Sequence, residues 1–228
     1  MKSAENIKHD LNAIRATLKE GVALVAVSKY NPAEAIVAAY EENQRVFGES
    51  REQELKGKHE LLPKDIRWHF IGHLQTNKVR FIVPYVSMIE TVDSIRLLRE
   101  IEKQAARIDR TVDVLLELHL ASEETKSGLT PNECRALLNE GEWKEMSHVR
   151  ICGIMMMASN TDDETVIRCE FQEASDFFDE IKKAHFADAD YFKERSYGMS
   201  GDYLIAQEYN STMVRVGSAI FGERNYNI

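Results

Sequence analysis

The chain has 228 residues, 43% of them hydrophobic and 29% charged, with a net charge of −9. That length suits one large α/β domain or two small ones, and the acidic balance with scattered Lys and Arg argues against a nucleic-acid-binding face. Nothing approaches the ~20 apolar residues of a membrane span, the amino terminus lacks a signal-peptide core, and three cysteines without a C-x-x-C pair argue against a disulfide framework or structural zinc and for a reducing cytoplasm.

Ile7, Leu11, Ile14 and Leu18 recur at helical spacing, which predicts a helix over residues 7–20 ended by Gly21. Leu24-Val25-Ala26-Val27-Ser28-Lys29 follows, an uninterrupted apolar run of the kind found in strands covered on both faces. Asn31-Pro32-Ala33-Glu34 then predicts a helix with Asn31 as N-cap and Pro32 first, running to about residue 42 with Ile36, Val37 and Tyr40 inward. Lys29 is thereby expected at the carboxyl end of a buried strand, the edge where α/β folds carry their chemistry. A lone lysine there can equally just end the strand and reach solvent.

Residues 45–49 predict a second strand, residues 50–59 a charged helix and residues 68–71 a third strand. A helix around 77–82 is closed by Pro84, and residues 86–90 are the fourth strand. Asp93 is expected to cap an amphipathic helix built on Ile95, Leu98, Ile101 and Ala105. Residues 111–120 give a fifth strand. A polar loop leads to Thr130-Pro131-Asn132-Glu133, a capping box with proline at its first helical position. Residues 149–157 are the sixth strand and 163–184 a long helix; residues 195–197 and 212–216 complete the strands, each followed by a glycine turn and a short helix. Eight strands alternating with helices over short connections make a closed (β/α)8 TIM barrel, one α/β domain over residues 1–228, with an open doubly wound sheet as the alternative.

The chemical signal besides Lys29 lies near the end. Gly198-Met199-Ser200-Gly201 follows strand seven and Arg215-Val216-Gly217-Ser218 follows strand eight, where barrels commonly cradle a phosphate. Glycine lets backbone N–H groups approach an anion, and Ser200 and Ser218 add hydroxyl donors. Each turn alone is an ordinary Gly-Ser turn. A lysine facing a phosphate cradle suggests a phosphorylated aldehyde, because a neutral lysine amine forms a Schiff base and a desolvated strand end favours that form. Arg215 becomes a candidate partner for the ring nitrogen of pyridoxal 5′-phosphate, where its permanent charge disfavours ring protonation and weakens the ring as an electron sink.

The segments Ala26-Val27-Ser28-Lys29, Phe47-Gly48-Glu49, Trp68-His69-Phe70-Ile71-Gly72-His73-Leu74-Gln75-Thr76-Asn77-Lys78, Lys126-Ser127-Gly128, Tyr197-Gly198-Met199-Ser200 and Ser211-Thr212-Met213-Val214-Arg215-Val216-Gly217-Ser218-Ala219-Ile220-Phe221-Gly222 resemble, nearly end to end, the pyridoxal phosphate homeostasis proteins. The resemblance implies the amino-terminal barrel of alanine racemase (fold type III of pyridoxal-phosphate proteins), with the cofactor bound covalently at Lys29. It further implies Arg215 against the pyridine nitrogen and Ser200, Gly217 and Ser218 around the phosphate; Gly201 belongs to the same cofactor-binding turn. Three positions depart from the family pattern: Ser50 and His119 stand where asparagine is usual, and Cys152 where arginine is.

Other features read as structural. His69 and His73 lie on a strand and its turn, so they share no helical face for a metal, although His73 could approach the ring or cap a helix. Met155-Met156-Met157 reads as core filling, and Glu123, Glu124 and Lys126 as a solvated loop. The expected function is to hold pyridoxal 5′-phosphate for intracellular homeostasis without strong catalysis, as a cytoplasmic monomer whose partners are pyridoxal-phosphate-dependent apoenzymes. The alternatives are an amino acid racemase or decarboxylase using the same cofactor, or a barrel enzyme on another phosphorylated substrate. A racemase needs a second acid/base group opposite the lysine. In barrel racemases that group is a tyrosine from a further β domain, which is not expected here; Tyr30 and Tyr197 are the substitutes the barrel offers.

Overall fold

A computed structural model describes residues 2–120 and 127–223. Eight parallel strands close into a barrel in chain order: β1 (Ala23–Val27), β2 (Val46–Glu49), β3 (Arg67–Phe70), β4 (Val86–Val92), β5 (Val112–Leu118), β6 (Val149–Met156), β7 (Glu194–Ser196) and β8 (Met213–Val216). Closure is made by β8 against β1, with Val25 opposite Arg215 and Ala26 opposite Val216. Between and around them run α1 (Ala4–Ala16), α2 (Ala33–Glu41), α3 (Glu52–Leu61), α4 (Val79–Ile82), α5 (Ile95–Ala106), α6 (Pro131–Glu140), α7 (Glu164–His185), α8 (Tyr203–Ala206) and α9 (Ser218–Phe221). The closed barrel, and not the open sheet, is the architecture. Among the described residues no helix is long and apolar enough to cross a membrane.

Strand periodicity sorts the side chains into two cores. The larger fills the layer between sheet and helices and holds Phe47, Trp68, Leu116, Phe171 and Tyr197. The smaller one, Val25, Met88, Leu115, Cys152, Met155 and Met213, plugs the barrel interior. Burying these chains fully contributes about 1.5–3 kcal/mol each for the larger aliphatics. At Gly153 (φ +155) a Cβ would collide with the Glu194 carbonyl, so the bulge in β6 admits only glycine.

Element ends move by one to four residues, most at α1, which runs Ala4–Ala16 and stops at Thr17 before reaching Gly21. Pro32 occupies the cap position of α2 and Asn31 instead donates from Nδ2 to the Lys29 carbonyl at 3.1 Å. Ser94, not Asp93, caps α5, its hydroxyl accepting from the Leu97 amide. Val37 is exposed, because α2 turns its small residues Ala35, Ala38 and Ala39 inward beside Ile36. The capping box of Thr130 and Glu133 forms as the sequence indicates. Glu123, Glu124 and Lys126 lie outside the described residues.

Candidate functional site

Strand β1 stops at Val27, and Lys29 sits in the turn that follows, half-buried. Two further turns converge on it. After β7, Gly198 (φ +92) packs so closely on Ala206 and Tyr203 that a side chain would not fit, and the Asp202 carboxylate accepts from the Met199 amide at 2.5 Å. After β8, Gly217 presses against Val27, where a Cβ would come within 3.1 Å of the valine side chain and 3.2 Å of its carbonyl. The Gly217 amide donates to Ser200 Oγ at 3.2 Å, which ties the two turns together.

A cavity of about 230 Å³ opens between these turns at the carboxyl end of the barrel. Lys29, Ser200, Gly201, Arg215, Gly217 and Ser218, named from three separate stretches of sequence, all line it. Val27, Ile71, Met155, Met157 and Met199 supply its apolar wall. Met155 and Met157 therefore face the cavity, and only Met156 belongs to the outer core, because residues alternate across a strand.

Under the cavity floor lies a polar cluster inside the barrel. Arg215 is buried and donates through one terminal nitrogen to the Ser196 carbonyl and hydroxyl, each at 2.6 Å, and through the other to the Met156 carbonyl at 2.8 Å. Ser196 Oγ donates to Glu90 Oε2 at 2.6 Å, His69 Nδ1 lies 2.7 Å from Glu90 Oε1, and Arg215 stands 3.8 Å from Glu90. Burial alone would raise the Glu90 carboxyl. The His69 hydrogen bond, the attraction of the imidazole and of Arg215, and the Ser196 hydroxyl outweigh it and hold Glu90 below the ordinary carboxylate value. Burial pulls the Arg215 guanidinium below its usual value while Glu90 opposes that shift.

Glu117, on β5, is buried with Oε1 accepting from Ser127 at 2.9 Å and Oε2 without a hydrogen-bond partner among the described residues, and burial raises its pKa. Sequence reasoning misses both Glu90 and Glu117. The signal that could find them is a carboxylate standing inside an otherwise apolar strand.

The remaining candidates fall elsewhere. His73 is exposed and 3.4 Å from Asp93. Tyr197 is fully buried in the outer core, its hydroxyl donating to the Ala174 carbonyl at 3.2 Å, and burial drives its pKa far up. Tyr30 lines a neighbouring cavity, with the Arg51 guanidinium 4.7 Å from its ring centre. Ser50, His119 and Cys152 do not line the Lys29 cavity; Cys152 is part of the interior plug, and burial pushes its thiol up to about 12.

Residues 3–225 match the family described as alanine racemase, N-terminal domain. The pyridoxal phosphate homeostasis protein of Schizosaccharomyces pombe is 34% identical over 222 residues, covering 94% of this chain and 91% of the relative. The chain belongs to the pyridoxal phosphate homeostasis proteins. A solved structure, PipY of Synechococcus elongatus with pyridoxal phosphate bound, superposes with a TM-score of 0.87 at 33% identity, covering 95% of this chain and all of PipY. Alanine racemase of Clostridium difficile aligns with 98% of this chain and 58% of its own length at a TM-score of 0.75 and 17% identity, and so shares the fold.

Proposed function

We propose that this chain, as a single domain, holds pyridoxal 5′-phosphate as a Schiff base on Lys29 and serves the homeostasis of that cofactor without strong catalysis of its own. The observation that carries the reading is the convergence of Lys29, Arg215 and the two glycine turns on one cavity. The residues fit the group. Ser200, Gly201, Gly217 and Ser218 offer hydroxyl and amide donors for a phosphate, and the close approach of Gly217 to Val27 leaves room only for backbone there. The methionine wall suits an aromatic ring.

When bound, the cofactor supplies an electrophilic aldehyde and an electron-withdrawing ring. Lys29 provides the amine that retains it. Arg215, fixed by three hydrogen bonds to the barrel, keeps a permanent positive charge at the cavity and disfavours a proton on a nearby ring nitrogen. Tyr30 and Tyr197 do not line the cavity, so neither offers the second proton-transfer group that racemisation requires. Cytoplasmic residence and delivery to apoenzymes by a monomer complete the reading; three free cysteines suit a reducing compartment.

Borohydride treatment of the purified protein loaded with pyridoxal 5′-phosphate is expected to fix the cofactor to the peptide containing Lys29, detected by mass spectrometry. No adduct there, or an adduct on another lysine, overturns the attachment. Racemisation or decarboxylation of a common amino acid well above the rate with free cofactor overturns the non-catalytic reading.

A further inference from the structure

The structure assigns Lys58 as the residue that positions Lys29, working with Glu49 and Glu54 as a buried clamp on the turn that carries it. This rests on Lys29 being the attachment point.

Lys58 lies on α3, outside the barrel, and is 6% exposed. A buried ammonium needs every proton engaged. Its Nζ donates to the Ser28 carbonyl at 2.9 Å, to Glu49 Oε1 at 2.7 Å and to Glu54 Oε1 at 2.6 Å. Both carboxylates pass the grip on to the same turn. Glu49 Oε1 accepts from the Ser28 hydroxyl at 2.5 Å, and Glu54 Oε1 accepts from the Tyr30 amide at 2.6 Å. The clamp therefore holds the residue before Lys29 by its carbonyl and hydroxyl, and the residue after it by its amide.

That second hold has a reason. Tyr30 takes a left-handed backbone (φ +64), a costly conformation for a residue with a Cβ unless its surroundings enforce it. The Glu54 acceptor and the Arg51 guanidinium over the Tyr30 ring hold it there. The direction in which Lys29 leaves the backbone is set by its two neighbours. Fixing both aims its side chain into the cavity with Arg215, while Tyr30 and Lys58 line the adjacent one. A lysine that only braced α3 to β2 would pair with Glu49 and have no need of the Ser28 carbonyl.

The test compares the full-length wild type with Lys58→Met, which keeps the stem and removes every donor, and with Thr130→Ala, a cap variant on α6 that lines neither cavity. Three quantities are read: the rate at which added pyridoxal 5′-phosphate becomes fixable to Lys29 by borohydride, the absorption spectrum of the bound cofactor, and amide exchange of the 28–31 segment in the cofactor-free protein. Lys58→Met is expected to slow fixation about 10–100-fold, the range that misplacing a reacting group produces. It should also shift the spectrum and speed exchange at Tyr30, whereas Thr130→Ala leaves all three as in wild type. A folded Lys58→Met with wild-type fixation and exchange overturns the assignment. If Lys58→Met does not fold, Glu54→Ala decides: faster Tyr30 exchange with slower fixation supports the clamp, and wild-type behaviour overturns it. Absence of any Lys29 adduct in the wild type would instead defeat the attachment reading, and exchange in the cofactor-free protein would still judge the clamp.

Discussion

Two buried carboxylates, one on each side of the sheet, have met burial in opposite ways. Glu90 inside the barrel and Glu49 outside it are both wholly inaccessible to solvent. Each oxygen of Glu90 is engaged, one by His69 and the other by Ser196, with Arg215 nearby. In Glu49 one oxygen takes both the Ser28 hydroxyl and the Lys58 ammonium, and the other has no hydrogen-bond partner among the described residues. Glu90 is accordingly held below its ordinary value, while burial pushes Glu49 up to about 7, with Glu54 adding to the rise and Lys58 and Ser28 opposing it. Burial sets the cost in both places, and the supply of donors decides the sign. The interior cluster keeps a fixed charge beside the cavity. The exterior one, behind the Lys29 turn, is poised to exchange a proton near neutrality.

The most severe way to break this comparison is to strip Glu90 of its cation. Arg215→Met leaves a buried carboxylate with only His69 and Ser196, and loss of one partner from a buried pair costs about 3–5 kcal/mol. Urea unfolding should show that loss as a lower midpoint. Arg215→Met combined with Glu90→Gln should recover part of it, because the stranded charge is gone. A single-variant loss below ~1 kcal/mol would mean that Glu90 does not depend on Arg215, and that the interior cluster is no more fixed than the exterior one.

A subtler effect separates the clusters by pH. The Glu49 carboxyl has a pKa of about 7 folded against 4.5 as its reference, so between those values the folded chain binds a proton that the unfolded chain does not. Stability therefore falls as pH rises through that window and levels off above it. Crossing one pH unit of the window removes about 1.4 kcal/mol, so the whole loss is on the order of 3 kcal/mol. Glu90, held low instead, works with the opposite slope: its contribution is present above its unfolded pKa and disappears as acid protonates it. Urea midpoints at pH 5 and pH 8 should differ less in Glu49→Gln than in the wild type. Equal differences in the two proteins would show that Glu49 does not set the slope.

How far the chain itself announces these features follows from the range of the interactions. Parallel strands buried on both faces are apolar runs, so residues 24–29 and 212–216 were legible as strands, and eight such runs alternating with helices pointed to the barrel. Short-range chemistry also read well, as Thr130 and Glu133 show. Where two neighbours are both good caps, as at Asp93 and Ser94, local preference could not choose between them. Six of the eleven residues that line the cavity were legible because each sits near a strand end or in a glycine turn. Lys58 was not. Its partners are set by how α3 lies across the first two strands, and its reach to Ser28 spans thirty positions of sequence with no periodic trace. Glu90 meets Ser196 over a still longer separation.

Thr130→Ala is the mildest variant and the one that calibrates the others. Thr130 caps α6, accepting from the Glu133 amide at 3.3 Å while Glu133 accepts from the Thr130 amide at 2.8 Å. Truncating such a cap costs about 1 kcal/mol of stability. Neither carboxylate cluster shares a hydrogen bond with it, and the Thr130 amide and hydroxyl hold the Glu133 carboxyl below its ordinary value, so the loss fades only in acid, stays nearly level between pH 5 and pH 8, and leaves the spectrum of bound cofactor unmoved. The pH differences assigned to Glu49 and the stability loss assigned to Arg215 are meaningful only against that flat background. A Thr130→Ala protein whose loss between pH 5 and pH 8 changed as much as the difference assigned to Glu49 would show that the slope belongs to the fold at large, and the contrast between Glu49 and Glu90 would lose its local meaning.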